Sequence, residues 1–262
     1  MIKVYAGIRL GHGKATQGRV CDDRILLGHR IGDMGYYEYD TEGDSTIVAV
    51  SDGVGGCNSG WKAAEVALNE VANWPETLVK DEDALKNAFL QVNQKVVTES
   101  FSLPEYEGMA ATLSVLLISD THTRVLHVGD SRVYHIGNVQ GCDFFGQVTE
   151  DQNCLQLWMK EKQYRSFSMN DLKKYDGWER IISYVGMPET DFVERMCMID
   201  IVNSKGTYIV TSDGVHDFIE DELIQMVLKE EGNREDKLKK ILDIAVENGS
   251  CDDQSIIVVE VK

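Results

Sequence analysis

Little in this chain of 262 residues would break it or staple it. There are three prolines, Pro75, Pro104 and Pro188, and no Ser-, Pro- or Gln-rich run. A disordered linker therefore has little room. The six cysteines, at positions 21, 57, 142, 154, 197 and 251, form no Cys-x-x-Cys pair and no zinc-like spacing. The six histidines include no His-x-x-x-His and read as structural or surface groups. No apolar run approaches the ~18 residues of a membrane-spanning helix. Met1-Ile-Lys-Val-Tyr starts directly as a strand and not as a signal peptide. Reduced thiols in a cytoplasm fit this pattern. Bases are also scarce, with 26 Lys+Arg against 44 Asp+Glu and a formal charge of -18. Nucleic acid would demand a basic stripe, and an anionic membrane surface would repel this chain. Neither Cys-x5-Arg nor Gly-x-Ser-x-Gly occurs, so no Cys or Ser nucleophile is displayed.

What remains is an ordinary globular composition, 43% hydrophobic and 27% charged, expected to fold as one domain over 1–262. The stretch Thr46-Ile-Val-Ala-Val-Ser-Asp-Gly-Val-Gly-Gly56 is its centre. Its apolar half reads as a buried strand, which delivers Asp52 to a glycine-rich turn. Tyr208-Ile-Val-Thr-Ser-Asp-Gly-Val215 repeats the device and delivers Asp213.

Strands are also expected at 2–10, 25–27, 192–201, 206–212 and 255–261. A run at 111–119, 123–128, 131–137 and 143–148 reads as a β-meander, with turns at Asp120-Thr121 and Gly141-Cys142. The Gly- and Tyr-rich stretch 28–45 reads as a loop or hairpin. A helix over about 59–79 carries Ala64, Leu68 and Val71 on one face, with Pro75 separating or kinking it. A second over about 82–101 places Leu85, Phe89, Val92 and Val96 at steps of four, three and four. Two more are expected at about 220–230 and 235–247, the latter ending at Gly249. Residues 151–185 are polar and weakly periodic and read as an inserted, mostly helical lobe with a mobile surface. Runs of strands with pairs of helices imply an α+β fold of stacked sheets covered by helices.

The acids show a pattern. Asp22-Asp23, Asp52-Gly53, Gly129-Asp130, Asp213-Gly214 and Asp252-Asp253 all sit at strand ends. Carboxylates are poor strand residues and are costly to bury alone. One such pair is a turn; a set this large points to a shared cation. An all-oxygen donor set suits Mg²⁺ or Mn²⁺ and not zinc.

The ordered segments Gly18-Arg-Val-Cys-Asp-Asp23, Ala49-Val-Ser-Asp-Gly-Val-Gly-Gly56, Gly108-Met-Ala-Ala-Thr112, Val128-Gly-Asp-Ser-Arg132, Val148-Thr-Glu-Asp151, Tyr184-Val-Gly186, Val210-Thr-Ser-Asp-Gly-Val-His-Asp217 and Cys251-Asp-Asp-Gln-Ser255 resemble those of the metal-dependent Ser/Thr protein phosphatases of type 2C, in their bacterial stand-alone form. They span nearly the whole chain. The resemblance implies a central β-sandwich of two antiparallel sheets flanked by helix pairs, with a flap at about 151–185. It implies two Mg²⁺ or Mn²⁺ ions, with Asp52 bridging them and the Gly53 carbonyl ligating one. Asp213 and Asp252 would complete the first site, and Asp22 would lie near the second ion. Asp23 would orient a water at the metals. Asp130, with Asp213, would hold a third, weaker ion. Arg19 lies near the family's phosphate-binding arginine, although one residue closer to the acid pair than in the common pattern.

Val54 stands where some members carry a His, so no side-chain acid is expected on that turn. Cys21 and Gln152 also depart from the usual residues. Arg132 is expected to pair with a core carboxylate, and Thr149 and Asp151 to be structural. The activity implied is hydrolysis of phosphoserine and phosphothreonine in proteins, opposing a Ser/Thr kinase, by a cytoplasmic monomer. Two alternatives stay open. One is a pseudophosphatase that binds a partner, which loss of the acids would mark. The other is a phosphatase of a small phosphorylated metabolite.

Overall fold

The computed structural model describes every residue except Glu42, 56–58, Asp120, 140–141, Arg165 and 203–204. Gly56 and the turn markers Asp120 and Gly141 thus lie outside the described residues. The chain opens with β1 (Ile2–Arg9), a one-turn helix α1 (His12–Thr16) and β2 (Arg24–Leu27). β3 (Arg30–Gly32), β4 (Gly35–Thr41) and β5 (Thr46–Ser51) precede the helices α2 (Gly60–Val71) and α3 (Glu82–Ser100). β6 (Leu113–Ile118), β7 (His122–Val128), β8 (Arg132–Val139) and β9 (Cys142–Gln147) follow. The next stretch holds α4 (Cys154–Lys160), α5 (Met169–Leu172), α6 (Glu189–Arg195) and β10 (Cys197–Val202). β11 (Gly206–Thr211), α7 (Asp213–His216), α8 (Asp221–Lys229), α9 (Arg234–Glu247) and β12 (Gln254–Val261) complete it.

Among the described residues the strands form two six-stranded sheets, ordered β4-β1-β12-β11-β8-β9 and β10-β7-β6-β5-β2-β3. Every strand pairing is antiparallel. This is the expected α+β sandwich. Its central strands are buried on both faces, because each face has its own partner. In β5, Val48 and Val50 join the core between the sheets, while Ile47 and Ala49 face the helices α2 and α3. In β12, Ile257 and Val259 point between the sheets, and Ile256 and Val258 meet α8 and α9. The two-residue period survives in direction although both directions are apolar. Each such side chain, fully buried, contributes about 1.5–3 kcal/mol.

The helices follow their stripes. Leu85, Phe89, Val92 and Val96 of α3 are buried, and Asp81 caps its start by accepting the Ala84 N–H at 2.9 Å. Leu238, Ile241, Leu242 and Ala245 of α9 are buried, and the Gly249 N–H bonds the Val246 carbonyl just past its end. The first helix is shorter than its pattern: α2 stops at Val71, and after Pro75 the chain makes a separate 3-10 turn over Glu76–Lys80. Pro75 separates here and does not kink.

Three expectations about strands need correction. The 111–148 run is not one meander. β6 and β7 pair in one sheet, and β8 and β9 pair in the other. The switch falls at Gly129, whose φ of +105° favours glycine and whose N–H is taken by Gln152 Oε1 at 3.0 Å. The 28–45 stretch holds β3 and β4, which pair with β2 and β1 in different sheets, so they are not a hairpin. Residues 189–195 are helix α6, not strand. Acids in its first turn and Phe192 buried on one face suit a short helix, and the strand starts at Cys197.

Segment 151–185 contains α4, a 3-10 turn at Lys162–Tyr164 and α5, and is otherwise turns and coil, so it is less helical than expected. Only Leu155 and Leu172 of its two helices are buried. Its aromatic residues pack on each other instead: Trp158 with Tyr164 and Tyr175, and Phe167 with the same two, at ring separations of 6.0–6.4 Å. The segment is rooted in the sandwich at both ends. Gln152 grips the Gly129 turn. Buried Asn93 of α3 takes the Gly186 N–H at 2.8 Å and donates to the Met187 carbonyl at 2.9 Å.

Candidate active site

The sheet switch and the strand ends bring acids from both sheets to one edge of the sandwich. Asp52 follows β5, Asp130 lies between β7 and β8, Asp213 follows β11, and Asp252 precedes β12. All four line a cavity of about 470 Å³. Its opposite wall comes from Glu179, Arg180, Ile181 and Tyr184 of the 151–185 segment.

Asp52 is fixed by backbone hydrogen bonds. The Asp52 N–H bonds Thr112 Oγ1 at 3.0 Å, and the Asp52 carbonyl accepts from the Thr112 N–H at 2.8 Å. Ser51 Oγ donates to the Thr112 carbonyl at 2.7 Å. Gly53 forms an isolated bridge with Ala111, and the start of α2 lies against it. A Cβ at Gly53 would stand 2.3 Å from the Gly60 carbonyl carbon, so close approach demands the glycine. Val54 lines the cavity and brings no titratable group, as its side chain implies. Asp130 is buried, with Asn153 Nδ2 3.4 Å from its Oδ2.

Asp23 sits deeper and is fully buried. Its Oδ2 accepts from Ser212 Oγ at 2.8 Å and Ser255 Oγ at 2.6 Å, while its Oδ1 has no hydrogen-bond partner. Oδ1 of Asp213 is also buried without a partner. Asp22 is not brought to the cavity. Its Oδ1 accepts the Trp61 N–H at 3.1 Å, and its Oδ2 lies 3.0 Å from Lys14 Nζ and 3.5 Å from Arg19 Nη2. Arg19 is also off the cavity wall, with half its side chain exposed.

The electrostatics follow from this crowding. Burial, then the charges of Asp23, Asp213 and Asp252, push the Asp52 carboxyl well above the carboxylate range. Burial, then the charges of Asp130, Asp252 and Asp217, do the same to Asp213. Asp130 is pushed up to about 7, by burial and then the charge of Asp151. Asp23 is pushed up to about 6, by burial and then the charge of Asp253. Carboxylates that raise one another's pKa in this way make a site of excess negative charge. Among the described residues, no three His, Cys, Asp or Glu already stand as a ligating group. The donor chemistry nevertheless fits a hard divalent cation: it is all oxygen, with Oδ1 of Asp23 and of Asp213 buried and without a hydrogen-bond partner.

The supporting residues behave as the sequence implies. Arg132 makes a bidentate pair with Asp151, at 2.9 Å from Nε to Oδ1 and 2.7 Å from Nη2 to Oδ2. Thr149 Oγ1 accepts the Val133 N–H. His127 and His216 are buried and hydrogen-bonded to Ser114 and Thr211, and burial holds both below the ordinary histidine value. Cys21, Cys154, Cys197 and Cys251 are free thiols.

Three residues were not legible as site residues. Lys14 lies among the acids, on a five-residue helix with no periodic signal. Asp253, buried, takes the Gly11 and Asp22 N–H groups and Lys14. Its adjacency to Asp252 was visible, but its separate role was not. Arg180 lies in the segment with the weakest pattern.

A β-sandwich clad in helix pairs, with carboxylates gathered where both sheets end, defines a class of phosphate-ester hydrolases. Residues 10–243 match the family model described as Protein phosphatase 2C, and the chain belongs to that family of protein serine/threonine phosphatases. It is 24% identical over 245 residues to the serine/threonine phosphatase stp of Listeria innocua, covering 91% of this chain and 93% of that one. It is 23% identical over 218 residues to the protein phosphatase PhpP of Streptococcus pneumoniae, covering 82% and 85%. Among solved structures, the serine/threonine phosphatase Stp1 from Staphylococcus aureus shares the fold with a TM-score of 0.78 at 20% identity, over 100% of this chain and 96% of that one. The catalytic domain of PstP, in complex with 2 manganese ions, shares it with a TM-score of 0.67 at 21% identity, over 99% of each.

Proposed function

We propose that this protein hydrolyses phosphoserine and phosphothreonine in proteins, using two divalent ions, Mg²⁺ or Mn²⁺. The observation that carries the reading is the convergence of Asp52, Asp130, Asp213 and Asp252, from both sheets, on one cavity. Asp52 would bridge the ions, with the Gly53 carbonyl, Asp213 and Asp252 completing one site. Asp22 is assigned to the side of the second ion, and Asp130 with Asp213 to a third, weaker one. When bound, the ions would lower the pKa of water and stabilise the charge that develops on phosphorus. The chain's own part is positioning. Thr112 fixes the Asp52 backbone, and Ser212 with Ser255 holds the buried Asp23, which is assigned to orienting the attacking water. Water attacks phosphorus, the bond to the seryl or threonyl oxygen breaks, and that oxygen takes its proton from water, since Val54 has none to give. Arg19 is assigned to the substrate phosphate. Arg180 is a second candidate, because it lines the cavity and its side chain makes no hydrogen bond or ion pair among the described residues.

The manganese ions of the PstP structure and the names of the bacterial relatives support the reading. We place the protein in a cytoplasm, as a monomer acting against a Ser/Thr kinase. No helix among the described residues is long and apolar enough to cross a membrane.

Hydrolysis of phosphoserine, phosphothreonine and phosphotyrosine peptides, with Mn²⁺ and with chelator, tests this. Activity on the first two that chelator removes is expected. Asp52→Asn and Asp213→Asn should each cut Mn²⁺-dependent turnover at least about 10³-fold while the fold persists. Full activity in either variant would sink the two-ion reading. Activity on small phosphate esters alone would make the protein a metabolite phosphatase. Binding of phosphopeptide without turnover would make it a pseudophosphatase.

A further inference from the structure

Lys14 is a buried ammonium, 9% exposed, in a wall made of acids. Its Nζ stands 2.7 Å from Asp253 Oδ2, 3.0 Å from Asp22 Oδ2 and 3.1 Å from Asp252 Oδ1. Lys14 donates a hydrogen bond to Asp253, and Asp22 and Asp252 stand at ion-pair distance on the same ammonium. The short helix that carries it is pinned from the same side. The Gly11 N–H bonds Asp253 Oδ1 at 2.8 Å, and the Gly13 N–H bonds the Cys251 carbonyl at 3.1 Å. A lone buried ammonium is too costly to keep, so the acids hold Lys14 as much as it holds them.

Asp252 connects this wall to the active cavity. Its Oδ1 faces Lys14 and also accepts the Asp253 N–H at 2.8 Å. Its side chain is half exposed and lines the cavity. One oxygen is therefore held in the wall, and the carboxylate as a whole feels a fixed positive charge. Two like charges a few ångströms apart repel strongly when water screens them only in part. A divalent ion beside Asp252 would meet that charge.

We propose that Lys14 is a built-in counter-ion of the active site, a positioning residue that ties Asp22, Asp252 and Asp253 together without metal and weakens divalent-ion binding at Asp252. The metal half of this inference rests on the two-ion reading; the structural half does not. It makes the protein stable without metal and its activity responsive to ion concentration.

The test compares Lys14→Met, Lys14→Arg and the double variant Lys14→Met/Asp253→Asn with the wild-type chain. Two quantities are read: Tm in chelator, and Mn²⁺ affinity by calorimetry. Lys14→Met should lower the metal-free Tm by about 10 °C, because it leaves a buried acid unpaired. It should also tighten Mn²⁺ binding about tenfold, and Mn²⁺ should recover more Tm than in the wild type. Lys14→Arg should keep both wild-type values. The double variant removes one charge of each sign and should regain most of the lost Tm. If Lys14→Met does not fold, recovery of folding in the double variant supports the proposal, and failure of both overturns it. A lower Tm with unchanged or weaker Mn²⁺ binding overturns it too, since a merely structural ion pair would behave that way. If the wild type binds no Mn²⁺, the two-ion reading and the metal half of the inference fail together. The Tm values of Lys14→Met and the double variant still decide the structural half.

Discussion

The two walls of the active cavity are made differently. On the sandwich side, Asp52, Asp130, Asp213 and Asp252 hang from the ends of buried, paired strands. On the other side, Glu179, Arg180, Ile181 and Tyr184 come from irregular chain between α5 and α6. The first wall is packed on all sides and holds its groups where the sheets leave them. The second has a small aromatic cluster of its own and is anchored by its two ends. Groups that must hold a fixed geometry belong on the first, and groups that adapt to a varied substrate on the second. The same division predicts where substitutions will hurt.

The largest contrast should come from one added methyl group. A Cβ at Gly214, next to Asp213, would lie 1.9 Å from the Asp253 carbonyl oxygen. Backbone surrounds it, and nothing can give way cheaply. Gly214→Ala should cost about 3 kcal/mol or more, a Tm loss on the order of 10 °C. At Gly177, in the other wall, the nearest atom would be Arg180 Nη2 at 3.7 Å. Only the backbone φ of +80° opposes a side chain there. Gly177→Ala should cost about 1–2 kcal/mol and a few degrees. Equal losses in thermal unfolding would mean that the two walls are equally rigid.

The response to pH should separate the walls next. Asp23 at about 6 and Asp130 at about 7 lie above the ordinary aspartate value of about 3.9, and Asp52 and Asp213 lie well above it. The folded protein therefore holds these protons more tightly than the unfolded chain does. Their stabilising contribution is complete below about pH 4 and is lost as pH rises through about 6 and 7. In the other wall, Asp171 is lowered to about 2, chiefly by its hydrogen bond from Lys174 and then by Ser168. Its contribution is present above the ordinary aspartate value and disappears only as pH falls through about 2. Without metal, Tm should be several degrees higher at pH 5 than at pH 7.5, and Mn²⁺ at pH 7.5 should restore it. A metal-free Tm that rises with pH across this range would remove the excess charge from the sandwich wall.

The same contrast explains what the sequence could tell. α3 and α9 were legible because burial there obeys a fixed period, and β5 and β12 because they are continuous apolar, β-branched runs. The strand-end acids were legible because Asp beside Gly after an apolar run is a conflict that needs a reason. Topology was less so. Nothing in 111–148 says that the chain changes sheets at Gly129, since a hairpin and a crossover share the same local pattern. Nor could spacing show that Asp22 turns away from the cavity while Asp252, 230 residues later in the chain, turns toward it. That is settled by the Trp61 N–H at the start of α2, a long-range contact. Lys14 was invisible for a related reason: its three partners lie 8 and about 240 residues away, and a lone lysine near glycines reads as surface.

The smallest effect concerns which arginine meets the substrate. Arg19 shares Asp22 with Lys14 and stands off the cavity, while the Arg180 side chain lines it without a partner among the described residues. Both are exposed, so a contact with substrate from either should be worth about 1 kcal/mol. Arg180→Ala should raise KM for a phosphopeptide about three- to tenfold, leaving kcat within about twofold and Tm within about 1 °C. Arg19→Ala should raise KM too if it reaches the phosphate. The two can be told apart with a small ester such as p-nitrophenyl phosphate, which has no peptide to touch the irregular wall. A KM effect of Arg180→Ala on the phosphopeptide but not on the small ester would assign Arg180 to the peptide and Arg19 to the phosphate. An equal effect on both substrates would place Arg180 at the phosphate itself. No effect on either would leave the sandwich wall to do both jobs and would remove the reason for dividing them.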